Sequence, residues 1–422
     1  MRINVDNLFK RFNKSILSGL LFVSTCTINS LCADLVYVTN CAGTISIIDV
    51  ETNTITATIP TTFGLCPDFI TFSPDGLRGY VSNLDSNSVS VIDTISNAVL
   101  ATIAVGDLPL GSAITPDGQF LYVANTGLGS FDVSVINTST NTIHATVSAG
   151  NGPFNVVITP DGKFAYVTNI NSGGVSVIDT SANTVTATIV FPDGTEGIAI
   201  TPDGRFVYVA SDAPTDIMVI DTSTNTIVAT IESTERPTEI AITPDGRFAY
   251  VSEFFADAVA IIETATNTII ATLMVGIDPI GVAVTLDGQF VYVANNGSDN
   301  VSVISTSTNT IIATIPIIGG FPGAAVILPS PQPVKNLMGD QEKNDFGLIY
   351  ELFNELTWTA NPFGTVPTMF NVYRNGIKIA SVSGSTLDYE DHDIKKGTTN
   401  TYSIIAIDAA GRQSSPATVI VN

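Results

Sequence analysis

Thr159-Pro160-Asp161-Gly162-Lys163-Phe164-Ala165-Tyr166-Val167-Thr168-Asn169 is one copy of a segment that recurs along this 422-residue chain. Working outward from it, a unit of about 42 residues repeats seven times, marked by Tyr37, Tyr80, Tyr122, Tyr166, Tyr208, Tyr250 and Tyr292. A regular period of this length fixes architecture before any local motif is weighed. In the quoted copy, Pro160 presets φ at the second turn position and Gly162 supplies a positive φ. Val156 to Ile158 precedes this turn, and Phe164 to Thr168, Val175 to Ile178 and Val185 to Ile189 follow it. Short runs rich in Val, Ile, Thr and Tyr, bounded by Gly, Pro, Asn and Asp, read as strands. Four antiparallel strands per repeat make the blade of a β-propeller.

The ends of the array predict how the ring closes. With the four strands of a repeat lettered A to D, A lying before Pro-Asp-Gly, the chain enters at a B strand, Leu35 to Thr39, and its last repeat ends at a D strand, Ile311 to Ile315. One more A strand, Gly323 to Leu328, follows without a further Pro-Asp-Gly. It is expected to complete the first blade, which leaves few open sheet edges.

Tyr37-Val-Thr-Asn40 and Tyr166-Val-Thr-Asn169, each followed by a Val-Ser-Val-Ile-Asp-Thr-like run and Asn-Thr, resemble the YVTN-type β-propeller repeat proteins. That resemblance implies a seven-bladed, extracytoplasmic propeller and no single activity.

The N-terminus reads as a secretory signal over residues 1–33. Arg2, Lys10, Arg11 and Lys14 precede an apolar stretch from Ile16 to Ile28 that is short for a membrane span. Cleavage before Asp34, lipoprotein processing at Cys26 and a retained anchor all stay open. No later segment is long enough to span a bilayer. In the oxidising compartment that export implies, Cys41 and Cys66, both in loops on one face, are expected to form a disulfide.

The formal charge of −23 resides mainly in the propeller, where 28 acidic residues face 5 basic ones. Such a surface repels nucleic acid and anionic lipid. Much of the acidity nevertheless has a local purpose, because Asp75, Asp117, Asp161, Asp203, Asp245 and Asp287 all stand at the Pro-Asp-Gly-type turn.

Pro329 to Pro333 reads as a stiff linker. Beyond it, Leu356-Thr-Trp358, the Val372-Tyr-Arg-Asn-Gly376 hairpin and Tyr402-Ser-Ile-Ile-Ala-Ile-Asp408 resemble a fibronectin type III domain over 334–422, with Trp358 as its core Trp and Tyr402 as its corner Tyr. The expected organisation is thus all-β: a seven-bladed β-propeller (34–328) followed by a small fibronectin type III-like β-sandwich.

Catalytic constellations are scarce. The chain has two His, His144 in a D strand and His392 in Asp391-His392-Asp393. Neither builds a Ser-His-Asp triad, and the zinc, copper and haem sites that need clustered His are disfavoured. Glu196 and Glu239, at the starts of A strands, and Asp68 in the corresponding loop could approach the axis, where a carboxylate-ringed Ca²⁺ site is conceivable.

The B–C and D–A loops differ between copies, and variable loops on a rigid scaffold are where binding usually resides. Phe254, Phe255, Phe131 and Asp257 are the residues singled out there, with Phe154 and Phe191 as extensions of an apolar patch. On these grounds the preferred expectation is an exported, non-enzymatic binding or scaffold protein without cofactor, presenting its loop face to a protein or glycan. The alternatives are a propeller enzyme of lactonase or lyase type, using channel carboxylates and a divalent cation, and a structural part of the cell envelope.

Overall fold

The computed structural model describes residues 34–422 except 62–65, 128–130, 193, 213–214, 234, 319, 346–349, 362–363, 393 and 395–397. The expected signal segment and Asp393 therefore lie outside the described residues.

Seven four-stranded antiparallel sheets form the ring. Six consist of four consecutive strands. In the remaining one, Pro322–Ile327 pairs with Leu35–Asn40, so that the last A strand completes the first blade. Tyr37 lies opposite Val326 and Val36 opposite Ile327 in this closure. The interlock follows from the strand count, and it spares the ring two open edges.

The repeated Tyr and the Asn of the C–D turn have one joint explanation. Each turn Asn takes a left-handed conformation, with φ of 52° at Asn183 and Asn267 and 54° at Asn225. In all of them but Asn141 the side-chain oxygen receives the Tyr hydroxyl of the preceding blade, as in Tyr122 to Asn183, Tyr166 to Asn225 and Tyr208 to Asn267, all at 2.6 Å. Tyr292 of the seventh blade reaches Asn53 of the first at 2.8 Å, continuing the series across the closure. The rings themselves are buried between sheets.

A second pairing joins strands B and C inside a blade. The Asn that ends strand B donates to the Ser of strand C: Asn83 to Ser90, Asn125 to Ser134, Asn169 to Ser176 and Asn295 to Ser302. In the fifth and sixth blades the Asn position holds Ser211 and Glu253, and the Ser position holds Met218 and Ala260. Both partners are lost together.

The turn Asp residues do local work. Thr159 Oγ1 and the Lys163 backbone N–H donate to Asp161 Oδ1 at 2.7 and 3.1 Å. The Lys163 ammonium and these bonds hold the Asp161 carboxyl down at about 2.

Beyond the ring, two sheets pack on each other. Lys335–Asp345, Tyr350–Thr359 and Asp388–Asp391 make one; Ile377–Ser383, Met369–Arg374, Asn400–Ile407 and Ala417–Val421 make the other. Trp358 and Phe370 meet edge to face in their shared core, with ring centroids 5.6 Å apart. The Tyr402 hydroxyl is tied to side chains of the opposite sheet, donating to Asp391 Oδ2 at 2.6 Å and accepting from Asn354 Nδ2 at 2.8 Å. Among the described residues no helix is long and apolar enough to cross a membrane.

Candidate functional site

The seven A strands line the axis of the ring and enclose a cavity of about 570 Å³. Its walls are mostly Ile, Val and Ala, with Asn155 and Glu239 as its strongly polar members. Each A strand has a register irregularity near its start, as at Pro153/Val156 and Pro237/Ile240. Such bulges re-aim side chains away from simple alternation. The third residues of the seven strands are Phe69, Gly111, Asn155, Gly197, Glu239, Gly281 and Ala324. A β-carbon on Gly197 would collide with the backbone oxygen of Thr238, and one on Gly281 with that of Gly323, so neighbouring strands approach closely here. Asn155, in the fourth blade, reaches past Gly197 of the fifth and donates from Nδ2 to Glu239 Oε2 of the sixth at 3.1 Å. A backbone N–H, that of Ile240, donates to Glu239 Oε1 at 3.3 Å.

Burial dominates the electrostatics. It lifts the Glu239 carboxyl to about 8, against the opposing hydrogen bonds from Ile240 and Asn155, and the nearby charges of Glu196 and Asp68 push in the same direction. Burial also raises Asp68, to about 6. Glu196 is raised by burial too, although Arg236 opposes the shift. Arg236 pairs through Nη2 with Glu196 Oε1, while its Nε lies 3.0 Å from Asp212 Oδ1. The same guanidinium lies over the Phe254 ring, 5.7 Å from its centroid. Near neutral pH, the arrangement therefore offers a protonated carboxyl at Glu239 on the wall of an apolar bore and an ionised one at Asp68, whose neighbour Phe69 lines that wall. A proton donor and a proton acceptor with values flanking neutrality are the equipment of general acid–base chemistry.

A divalent cation does not fit this donor set. Among the described residues no three His, Cys, Asp or Glu side chains converge to hold an ion. Glu196 already has Arg236 as its counterion, and Glu239 is engaged by Asn155. No step below uses a metal.

The residues singled out in the loops fall elsewhere. Phe254 and Phe255 occupy a short 3-10 turn, Phe254–Ala256, with their rings edge to face at 5.1 Å. Phe255 is exposed, whereas Phe254 lies against Arg236 and so belongs to the rim of the site. Phe131 is also exposed, but Phe191 is buried in the core between blades, and an apolar patch does not continue through it. Asp257 adopts a left-handed conformation, and its Oδ1 accepts from the Asp278 backbone N–H at 3.0 Å, a loop-shaping role. Cys41 and Cys66 are joined by a disulfide. His144 sits on an exposed outer strand against Phe120, and His392 contacts Glu390 in the C-terminal unit, both remote from the channel.

Asn155 and Arg236 escaped the sequence reading. A signal for them existed, because only in the fifth and sixth blades are the Asn and the Ser both replaced, and the inner strands of those blades carry Glu196 and Glu239.

Several solved structures share this architecture. Hydrazine synthase from Kuenenia stuttgartiensis matches with 24% identity over 63% of this chain and 90% of its own, at a TM-score of 0.58. A protein of unknown function from Desulfotomaculum acetoxidans matches with 18% identity over 70% and 98%, at 0.61. Dihydro-heme d1 dehydrogenase NirN matches with 16% identity over 69% and 74%, at 0.54. At these identities the likeness is one of fold. No curated protein matches the chain. A family model described as "Lactonase, 7-bladed beta-propeller" matches residues 33–190, 112–226 and 213–311. The overlaps are natural for a repeat that can align in more than one blade register, and together the matches run through nearly the whole ring. This finding corrects the expectation of a non-enzymatic binding scaffold, which rested on the loops and gave the channel carboxylates second place. The chain belongs to the seven-bladed β-propeller lactonase family.

Proposed function

We propose that the protein hydrolyses lactones at the axial carboxylates, with Glu239 as general acid and Asp68 as general base. Asp68 takes a proton from water, and the water oxygen bonds to the lactone acyl carbon. The ring C–O bond then breaks, and its oxygen receives the Glu239 proton. The product is a hydroxy acid whose carboxyl ionises, and the proton on Asp68 returns to Glu239 through solvent. Asn155 donates one Nδ2 hydrogen to Glu239 and has a second for the developing oxyanion. Arg236 acts as a positioning residue, holding Glu196 at the rim.

The observation that carries this reading is Glu239, a carboxyl kept protonated by burial at the end of an apolar bore, in a chain of lactonase kinship. The acid form of Glu239 requires pH below about 8 and the base form of Asp68 requires pH above about 6, so kcat/KM should trace a bell between them. Proton release from simple lactones, followed in a pH-stat, checks this. Glu239→Gln should lower kcat by roughly 10²–10⁴-fold, and Asp68→Asn should do likewise. Wild-type rates in both variants would sink the assignment. Folding adds an independent readout. Folded Glu239 holds its proton more tightly than the unfolded chain does, so its contribution to stability falls as pH rises from the ordinary carboxylate range towards 8. Glu239→Gln should therefore raise Tm at pH 8 relative to wild type, with a smaller difference at pH 4.

The resemblances suggest further features. Export through residues 1–33 would suit the Cys41–Cys66 disulfide. The pairing of a three-stranded and a four-stranded sheet over 334–422 favours a fibronectin type III-like spacer. The Tyr-Val-Thr-Asn copies favour YVTN-type kinship within the wider propeller family.

A further inference from the structure

Resting on the lactonase reading, we propose that the substrate is an uncharged lactone carrying an apolar tail, its ring at Glu239 and its tail along the bore. Two independent features support this class. The first is the wall. The cavity of about 570 Å³ falls within the roughly 300–1,000 Å³ of small-ligand sites. Below Asn155 and Glu239 it is lined by Ile114, Val157, Ile200 and Val284 among others, groups that gain by covering methylenes and offer a sugar few hydroxyl partners.

The second feature is charge. The ring contains 28 acidic and 5 basic residues, and all five basic ones lie among the described residues. Arg78 is paired with Asp93 and Lys163 with Asp161, while Arg205 and Arg247 stack on Phe206 and Phe248 where the B strands leave the repeated turns. Arg236 is the basic residue at the carboxylate end, and Glu196 and Asp212 already balance it. A phosphate or carboxylate on the substrate would meet Asp68 and Glu196 with no uncommitted cation to receive it.

The test is a lactone panel assayed on the full chain: unsubstituted γ-butyrolactone, γ-lactones with four-, six- and eight-carbon alkyl tails, a neutral sugar lactone and a phosphorylated sugar lactone. The expected result is a kcat/KM that rises about fourfold per tail methylene, the ~0.8 kcal/mol that one buried methylene contributes, with the phosphorylated lactone slowest. Val284→Phe, which enlarges a wall residue and narrows the bore, should shift the preference to shorter tails. A phosphorylated or neutral sugar lactone hydrolysed faster than every alkyl lactone would overturn the proposed substrate class and leave lactone hydrolysis standing. Absence of hydrolysis across the whole panel would overturn the class and the lactonase reading together.

Discussion

The hydroxyl of each repeat tyrosine described above ends on a turn of the next blade, and this single bond links two positions that the sequence repeats separately. Tyr208 donates to Asn267 Oδ1 at 2.6 Å while its ring is buried between sheets. Burial raises its phenol to about 12, so the hydroxyl stays a donor throughout the physiological range. Tyr208→Phe keeps the ring and removes the donor, leaving a partly buried amide oxygen without that partner. The expected loss is about 1 kcal/mol in urea unfolding with an unchanged m-value. A midpoint equal to that of wild type would show that the bond contributes nothing net. The tyrosines were legible in the sequence as strand markers, since their period is visible in one chain. Their partners were not, because the Asn receiving Tyr208 stands 59 residues downstream, in another copy of the same motif. A repeat shows which residues recur but not which copy each one touches.

At the scale of the element, strand order and ring closure could be counted from the sequence, because turn chemistry delimits each strand. The direction of the side chains at the axis could not. A strand read by alternation sends successive residues to opposite faces. The bulge at the start of each inner strand disturbs that rule where Glu196, Glu239 and Asp68 stand. The sequence therefore named these carboxylates without separating their roles, and it passed over Asn155, which reads as an ordinary strand residue. The glycine between Asn155 and Glu239 supports this reading of the site. Gly197→Ala would place a methyl against the Thr238 backbone oxygen, which has no flexible end to move aside. The inner strands of the fifth and sixth blades must then part. The expected cost is about 1–3 kcal/mol, as for overpacking elsewhere. Lactone turnover should fall with it, because Asn155 and Glu239 meet across this glycine. Stability and turnover both unchanged would mean that the strands yield there at little cost and that the bridge has no bearing on the chemistry.

At the scale of the molecule, the C-terminal unit is joined to the ring by contacts on the turn face, opposite the loops that carry Arg236 and Phe254. Arg412, fixed by Asp408 with its Nε 2.8 Å from Oδ2, donates from Nη2 to the Asp75 backbone oxygen at 3.0 Å. The guanidinium occupies the notch left by Gly76, and Ser330 bonds Asp34 beside it. The contact is a local one, since the ring (28 acidic, 5 basic) and the final unit (ten acidic, seven basic) both carry net negative charge. Arg412→Ala removes the plug and leaves the axial residues untouched. If the contact fixes the unit, the variant should show faster proteolysis in the 329–333 linker and a larger radius of gyration in small-angle scattering, while lactone turnover stays at the wild-type level. Identical proteolysis and scattering in the variant would mean that the stiff proline-rich linker alone sets the placement. A fall in turnover without loosening would instead tie the C-terminal unit to the bore, whose wall includes Pro329 at the foot of that linker.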